Sequence, residues 1–193
     1  MLNYELTDEE LIKKFQEGDV GAYNQLVYRY KDRLLNFIYR YLNDIDRSED
    51  LVQDTLLKLY THKNSYKEIA RFSTWIYTIA ANFARTELRK IKRRKTFSVT
   101  ELSREDREFI IASTDVGPGE ENLAQYFEKN VQRALADLPD DFKTIIILRD
   151  IQELSYDEIS KIVKVPLGTV KSRINRGRVK LQELLKKKGV RPY

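Results

Sequence analysis

Pro166 separates two stretches of helical character and limits how the last third of this chain can fold. Before it, Leu154-Ser155-Tyr156-Asp157-Glu158-Ile159 carries a Ser155/Glu158 capping box, which sets the start of a helix. Pro166 cannot continue that helix and is well placed to open the next one. In the segment that follows, Val170, Ile174, Gly177, Leu181 and Leu184 recur at helical spacing and form a stripe to be buried. Ser172, Asn175, Arg176 and Val179 face the other way. Lys171 and Arg178 flank them on one edge, Arg173 and Lys180 on the other. A tight turn followed by a basic second helix is the helix-turn-helix solution for entering a major groove. The central polar groups suit base edges, Arg matching guanine and Asn adenine, while the edge cations suit phosphates. A solvated basic helix shows the same stripe; the capped helix and turn ahead of it favour DNA.

Composition removes most other classes. Cysteine is absent and His62 is the single histidine, so disulfide frameworks and cysteine or paired-histidine metal sites are excluded. The carboxylates show no convergent set, and no catalytic residue, metal or cofactor is expected. No apolar run approaches the roughly 18 residues that span a bilayer, so membrane insertion is not expected and the cytoplasm is the expected compartment. The net charge is only +5, yet its distribution is uneven. Arg85, Arg89, Lys90, Lys92, Arg93, Arg94 and Lys95 stand against Glu87 alone, and a second basic block runs from Lys164 to Arg191. Between them lies an acidic segment with Glu101, Glu105, Asp106, Glu108, Asp115, Glu120 and Glu121. Two basic blocks around an acidic one suggest two DNA contacts joined by a segment that avoids phosphates.

No window shows sustained strand alternation, so the fold class is all-α: two small helical domains joined by a flexible linker. The first domain covers 1–94. Thr7 and Glu10 cap a short helix ending near Gly18, a long amphipathic helix spans about 22–42, and Ser48 caps a third over 49–60. A polar loop leads to a fourth helix over 72–93. The linker, 95–120, lacks periodicity and closes on Gly117-Pro118-Gly119. The second domain, 121–193, holds helices near 121–138, 140–152, 155–163 and 167–188. The core expected there draws on Leu135, Leu138, Phe142, Ile145, Ile146, Leu148, Ile159, Ile162, Val170, Ile174 and Leu181.

Three further constellations carry candidate function. On the fourth helix Phe72, Trp75, Ile76, Ile79, Ala80 and Phe83 read as core, with Trp75 packing rather than wedging between bases. Thr78, Asn82, Arg85, Arg89 and Arg93 line a neighbouring side as a track for a phosphate backbone. The preceding loop, with Lys63, Asn64, Ser65 and Tyr66, mixes donors, cations and a ring that suit a base taken out of its stack; a plain surface loop has the same composition. The third helix carries Glu49, Asp50, Gln53 and Asp54 beside its apolar stripe, with Asp46 just upstream. Carboxylates repel phosphates, so this surface reads as a solvated face or as a protein contact.

Three stretches together resemble the bacterial extracytoplasmic-function (group IV) sigma factors of the sigma-70 family. They are Asp46-Arg47-Ser48-Glu49-Asp50-Leu51-Val52-Gln53-Asp54-Thr55, the run from Phe72 to Arg85, and Leu138-Pro139 followed by the helix-turn-helix with Gly168-Thr169-Val170-Lys171-Ser172-Arg173. The resemblance extends from about Asp8 to Lys186. It implies a subunit that joins RNA polymerase core and directs it to promoters, with no chemistry of its own. Asp46, Glu49, Asp50, Gln53 and Asp54 would then grip the polymerase. Lys63, Asn64, Ser65, Tyr66, Thr78, Asn82, Arg85, Arg89 and Arg93 would serve the −10 element. Thr169, Lys171, Ser172, Arg173, Asn175, Arg176, Arg178 and Lys180 would serve the −35 element as duplex. An anti-sigma protein is a further expected partner. Gly177 stands where the family more often has alanine, which is expected to loosen the recognition helix slightly. The alternative is a stand-alone helix-turn-helix repressor or activator, which leaves the acidic third helix and the Asn82 to Arg93 stripe without a task.

Overall fold

The computed structural model describes residues 6–102 and 123–190, with backbone alone for 95–102 and 123–124. Among the described residues there are eight α-helices and no strand. α1 (Asp8–Gln16) starts at Thr7, whose side chain accepts from the Glu10 amide while Glu10 reaches back, the expected capping box. α2 (Val20–Leu42) starts two residues earlier than the periodicity suggests, because Asp19 caps it by accepting from Ala22 N. It ends at Asn43 in the left-handed region, φ 57°, a conformation that asparagine tolerates. α3 spans Ile45–Thr61. Its cap is Asp44, not Ser48: the Asp44 carboxylate accepts from Arg47 N, while Ser48 is buried inside the helix and donates to Asp44 O. Asp46 therefore lies in the first turn, where a carboxylate complements the helix dipole.

A single 3-10 turn, Lys63–Ser65, leads to α4 (Phe72–Leu102). This helix continues past Arg93, so the first part of the expected linker is helical. The rest of that expectation, including Gly117-Pro118-Gly119, lies outside the described residues. α2 is the spine of the first domain, with α1, α3 and α4 packed on it. Leu26, Tyr30, Leu34, Phe37, Ile38 and Tyr41 meet Leu11, Phe15, Leu59, Phe72, Ile76 and Tyr77, all buried.

The second domain comprises α5 (Leu123–Asp137), α6 (Asp140–Ile146), α7 (Tyr156–Val163) and α8 (Leu167–Lys187). α6 widens into a π-type turn over Ile147–Ile151. The run Ile145-Ile146-Ile147-Leu148 is buried throughout. Such a run suits a segment enclosed on all sides: α8 packs on α6, and α2 of the first domain packs on the π-type turn. The domains thus touch directly, with α4 against α7 and α2 against α5. Ser155 and Glu158 form the expected capping box of α7. α7 ends at Lys164, φ 57°, and Pro166 opens α8, giving the expected helix-turn-helix.

Candidate nucleic-acid and polymerase interfaces

The roll of α8 is fixed from beneath. Val170, Ile174 and Gly177 are buried, and a Cβ on Gly177 would sit 3.1 Å from Ile146 Cγ1 and 3.3 Å from Phe142 Cβ. Gly177 therefore lets α8 approach α6 closely, which replaces the expectation that it merely loosens the helix. Around the rest of the helix Lys171, Asn175, Arg176, Arg178, Val179 and Lys180 are exposed, and Thr169, Ser172 and Arg173 are half-buried. Ser172, Asn175 and Arg176 face away from the core, with Lys171 and Arg178 on one edge and Arg173 and Lys180 on the other, as expected. Arg176 is pre-arranged: its Nη2 donates to Ser172 Oγ at 3.2 Å and its Nε to Ser172 O at 3.3 Å. Arg178 is held by Asp150, which takes Nε at 3.1 Å and Nη2 at 2.5 Å. That carboxylate raises the Arg178 pKa, through the hydrogen bond first. Arg173 lies 3.2 Å from Asp141. Both carboxylates sit on α6 or its π-type turn. No local sequence pattern reveals these pairs, since the partners are 28 and 32 positions away from the cations.

On α4, Asn82, Arg89 and Arg93 are exposed and Arg85 and Thr78 half-buried, on one side as expected. Thr78 spends its hydroxyl on Thr74 O at 2.6 Å. Trp75 packs against the core beside Tyr66 and Phe72. The loop departs from expectation at two residues. Tyr66 is 6% exposed, its hydroxyl donates to Ala70 O, and its ring stands edge-on to Phe72 and Trp75. Burial pushes its phenol up to about 12, with Glu9 and Glu68 adding to the rise. Lys63 turns inward too: its ammonium donates to Phe15 O at 2.6 Å and lies 4.4 Å from the Phe15 ring centroid. These two side chains brace the loop and present nothing to a flipped base, whereas Asn64, Ser65, Lys67 and Ile69 are exposed. Ile69 is 84% exposed, a large apolar side chain standing in solvent beside the loop.

Asp46, Glu49, Asp50, Gln53 and Asp54 are all exposed on α3. Leu57 continues this stripe four positions after Gln53 and is 60% exposed. Among the described residues no helix is long and apolar enough to cross a membrane.

Comparison with known proteins agrees with this arrangement. Sigma-70 region 2 matches residues 26–94, which hold α3 and the polar side of α4. Sigma-70 region 4 matches residues 128–181, which hold the helix-turn-helix. The ECF RNA polymerase sigma-E factor of Haemophilus influenzae is 38% identical over 90% of this chain and 93% of its own length. The ECF RNA polymerase sigma factor SigW of Bacillus subtilis is 32% identical over 94% of this chain and 98% of its own. Among solved structures, the sigma factor RpoE of Bartonella quintana in complex with the anti-sigma factor NepR superposes with TM-score 0.61 at 29% identity, covering 84% of this chain and 96% of that one. The chain belongs to the extracytoplasmic-function sigma factors of the sigma-70 family, the subunits that direct promoter-specific transcription initiation.

Proposed function

We propose that three surfaces divide the work of initiation. The α3 row of Asp46, Glu49, Asp50, Gln53 and Asp54, extended by Leu57, grips the polymerase core. Asn82, Arg85, Arg89 and Arg93 of α4, with Asn64 and Ser65 of the loop, hold the separated −10 element. Lys171, Ser172, Asn175 and Arg176 of α8 read the −35 element as duplex, with Lys180 and Arg178 on phosphates. In this reading 1–94 is the core-binding unit, 121–193 the upstream anchor, and the chain acts in the cytoplasm without chemistry of its own. The likeness to a sigma factor solved with its anti-sigma factor supports an anti-sigma partner here as well.

One observation carries the reading. The outward row of α8 stands directly across the helix from Val170, Ile174 and Gly177, so packing against α5, α6 and α7 determines which side chains can enter a groove. An exposed arginine braced by Ser172 is prepared for a bidentate contact with guanine. In run-off transcription with purified core, Arg176→Ala should lose about 1–3 kcal/mol of discrimination at one −35 base pair and so relax specificity there. Arg89→Ala should weaken promoter binding evenly across sequences and lower the salt slope by about one. Equal losses for Arg176→Ala on matched and mutated −35 sequences would overturn the α8 assignment.

A further inference from the structure

The three surfaces above leave α1 without a task, yet α1 packs on the 3-10 turn of the loop and on the start of α4. Gln16, the half-buried last residue of α1, donates through Nε2 to two loop carbonyls, Lys63 O at 2.8 Å and Tyr66 O at 3.1 Å. An amide nitrogen has two N–H bonds, so one side chain can serve both oxygens. The loop returns the contact: the Lys63 ammonium donates to Phe15 O at 2.6 Å. At the other end of the loop Glu9 Oε1 accepts from Phe72 N at 2.9 Å, where the chain enters α4. The loop's own bonds, Ser65 N to His62 O at 2.8 Å and Tyr66 N to Lys63 O at 3.2 Å, make a single 3-10 turn, whose hydrogen-bond geometry is poorer than that of an α-helix. Asn64, Ser65 and the buried Tyr66 lie between the two clamped carbonyls, and of these Asn64 and Ser65 are exposed.

We infer that α1 is a strut for base capture and that Gln16 is its positioning residue: by fixing Lys63 O and Tyr66 O it holds Asn64 and Ser65 in the outward arrangement that receives a base taken out of the stack. This rests on the assignment of the loop to the −10 element. A turn free to fluctuate must be ordered at the moment of binding, and that ordering subtracts from affinity. Held by α1, the turn is ordered when the domain folds, so hydrogen bonds and stacking to an extruded base go into affinity and base discrimination. Gln16 itself touches no DNA. The geometry also sets the chemistry needed at position 16: carbonyls accept, so the side chain there must donate.

The test uses the full chain bound to polymerase core and the non-template −10 strand of a promoter active in the run-off assay. That strand is supplied intact or with one abasic site, scanned along the element. Wild type should lose about tenfold in affinity when the extruded base is the one removed. Gln16→Leu keeps the size of the side chain and drops both donors. It should bind the intact strand about fivefold more weakly, yet bind the strand lacking that base as wild type does. Lys63→Met loses the bond to Phe15 O and keeps a stem on the ring; it should shift the same way by a smaller factor, and it carries the comparison if Gln16→Leu does not fold. Equal weakening on intact and abasic strands, or undiminished affinity for the intact strand, would overturn the strut. A wild type indifferent to every abasic site would overturn the loop assignment and the strut with it, so the two failures are distinguishable.

Discussion

In the first domain the buried side chains include a connected set of rings: Tyr30 with Phe72 at 5.2 Å between centroids, Phe72 with Tyr66 at 5.9 Å, and Phe37 with Tyr77 at 5.5 Å. In the second domain the fully buried side chains are aliphatic, among them Leu135, Ile145, Ile147, Leu148, Ile159, Val170 and Ile174. Rings carry orientation, since edge-on contacts are favoured and each phenol must find a partner. Tyr30 gives its hydroxyl to Asp8 at 2.6 Å, and burial followed by that bond pushes its pKa up. Aliphatic groups carry no such direction, so the second domain depends on how closely its helices approach. One domain is specified by ring geometry and anchored hydroxyls, the other by spacing.

The largest effect should come from removing a ring. Phe72 is fully buried and touches Tyr30, Tyr66 and Trp75, at 6.1 Å between centroids for the last pair. Phe72→Ala should cost about 3–5 kcal/mol in chemical denaturation, confined to the transition of the first domain. A loss below about 1 kcal/mol would mean the rings repack freely and the contrast between the cores is false. The second domain should be more sensitive to an added group than its composition suggests. In Gly177→Val the new Cβ and its methyls meet Ile146 and Phe142, where the Cβ alone stands at 3.1 Å and 3.3 Å. The expected cost is about 1–3 kcal/mol, together with weaker −35 binding as α8 lifts from α6. In Gly177→Ala a gain of about 1 kcal/mol in helix propensity opposes the same crowding. Stability of the valine variant equal to wild type would show that spacing does not set this core.

Helices, capping boxes at Thr7/Glu10 and Ser155/Glu158, and the buried face of α8 were legible in the sequence because each is a local pattern of period or spacing. What was not legible depends on distant partners. Ser48 satisfies the residue preference of a cap, but Asp44 stands where the chain enters the helix and takes the position. Lys63 and Tyr66 look like loop residues until the Phe15 carbonyl and the Trp75 ring arrive from elsewhere in the chain. The left-handed turn at Lys164 carries no glycine to announce it. Gln152 stands at a helix end in the sequence, and its burial depends on Tyr77, 75 positions distant.

The smallest expected effect separates the domains at their two capping boxes. Glu10 is exposed and its partners are local: the Thr7 backbone bond, then the Thr7 side chain, hold its carboxyl below the ordinary range. Glu158 is mostly buried, which opposes its charge. Hydrogen bonds from Ser73 and Ser155 nevertheless outweigh that, so its carboxyl is also lowered. A carboxyl lowered on folding stabilises the fold above its unfolded pKa, and the contribution is lost as pH falls through the folded value. Gln substitution preserves the shape of each box and removes the titration. Thermal melts taken from about pH 7 down to about pH 3 should therefore show a flattened acid limb in Glu158→Gln, with a much smaller change in Glu10→Gln. The asymmetry follows from Ser73, which ties the second box to α4 while the first box touches only its own helix. Equal flattening in both variants would mean that the bond across the domains adds nothing to the local cap.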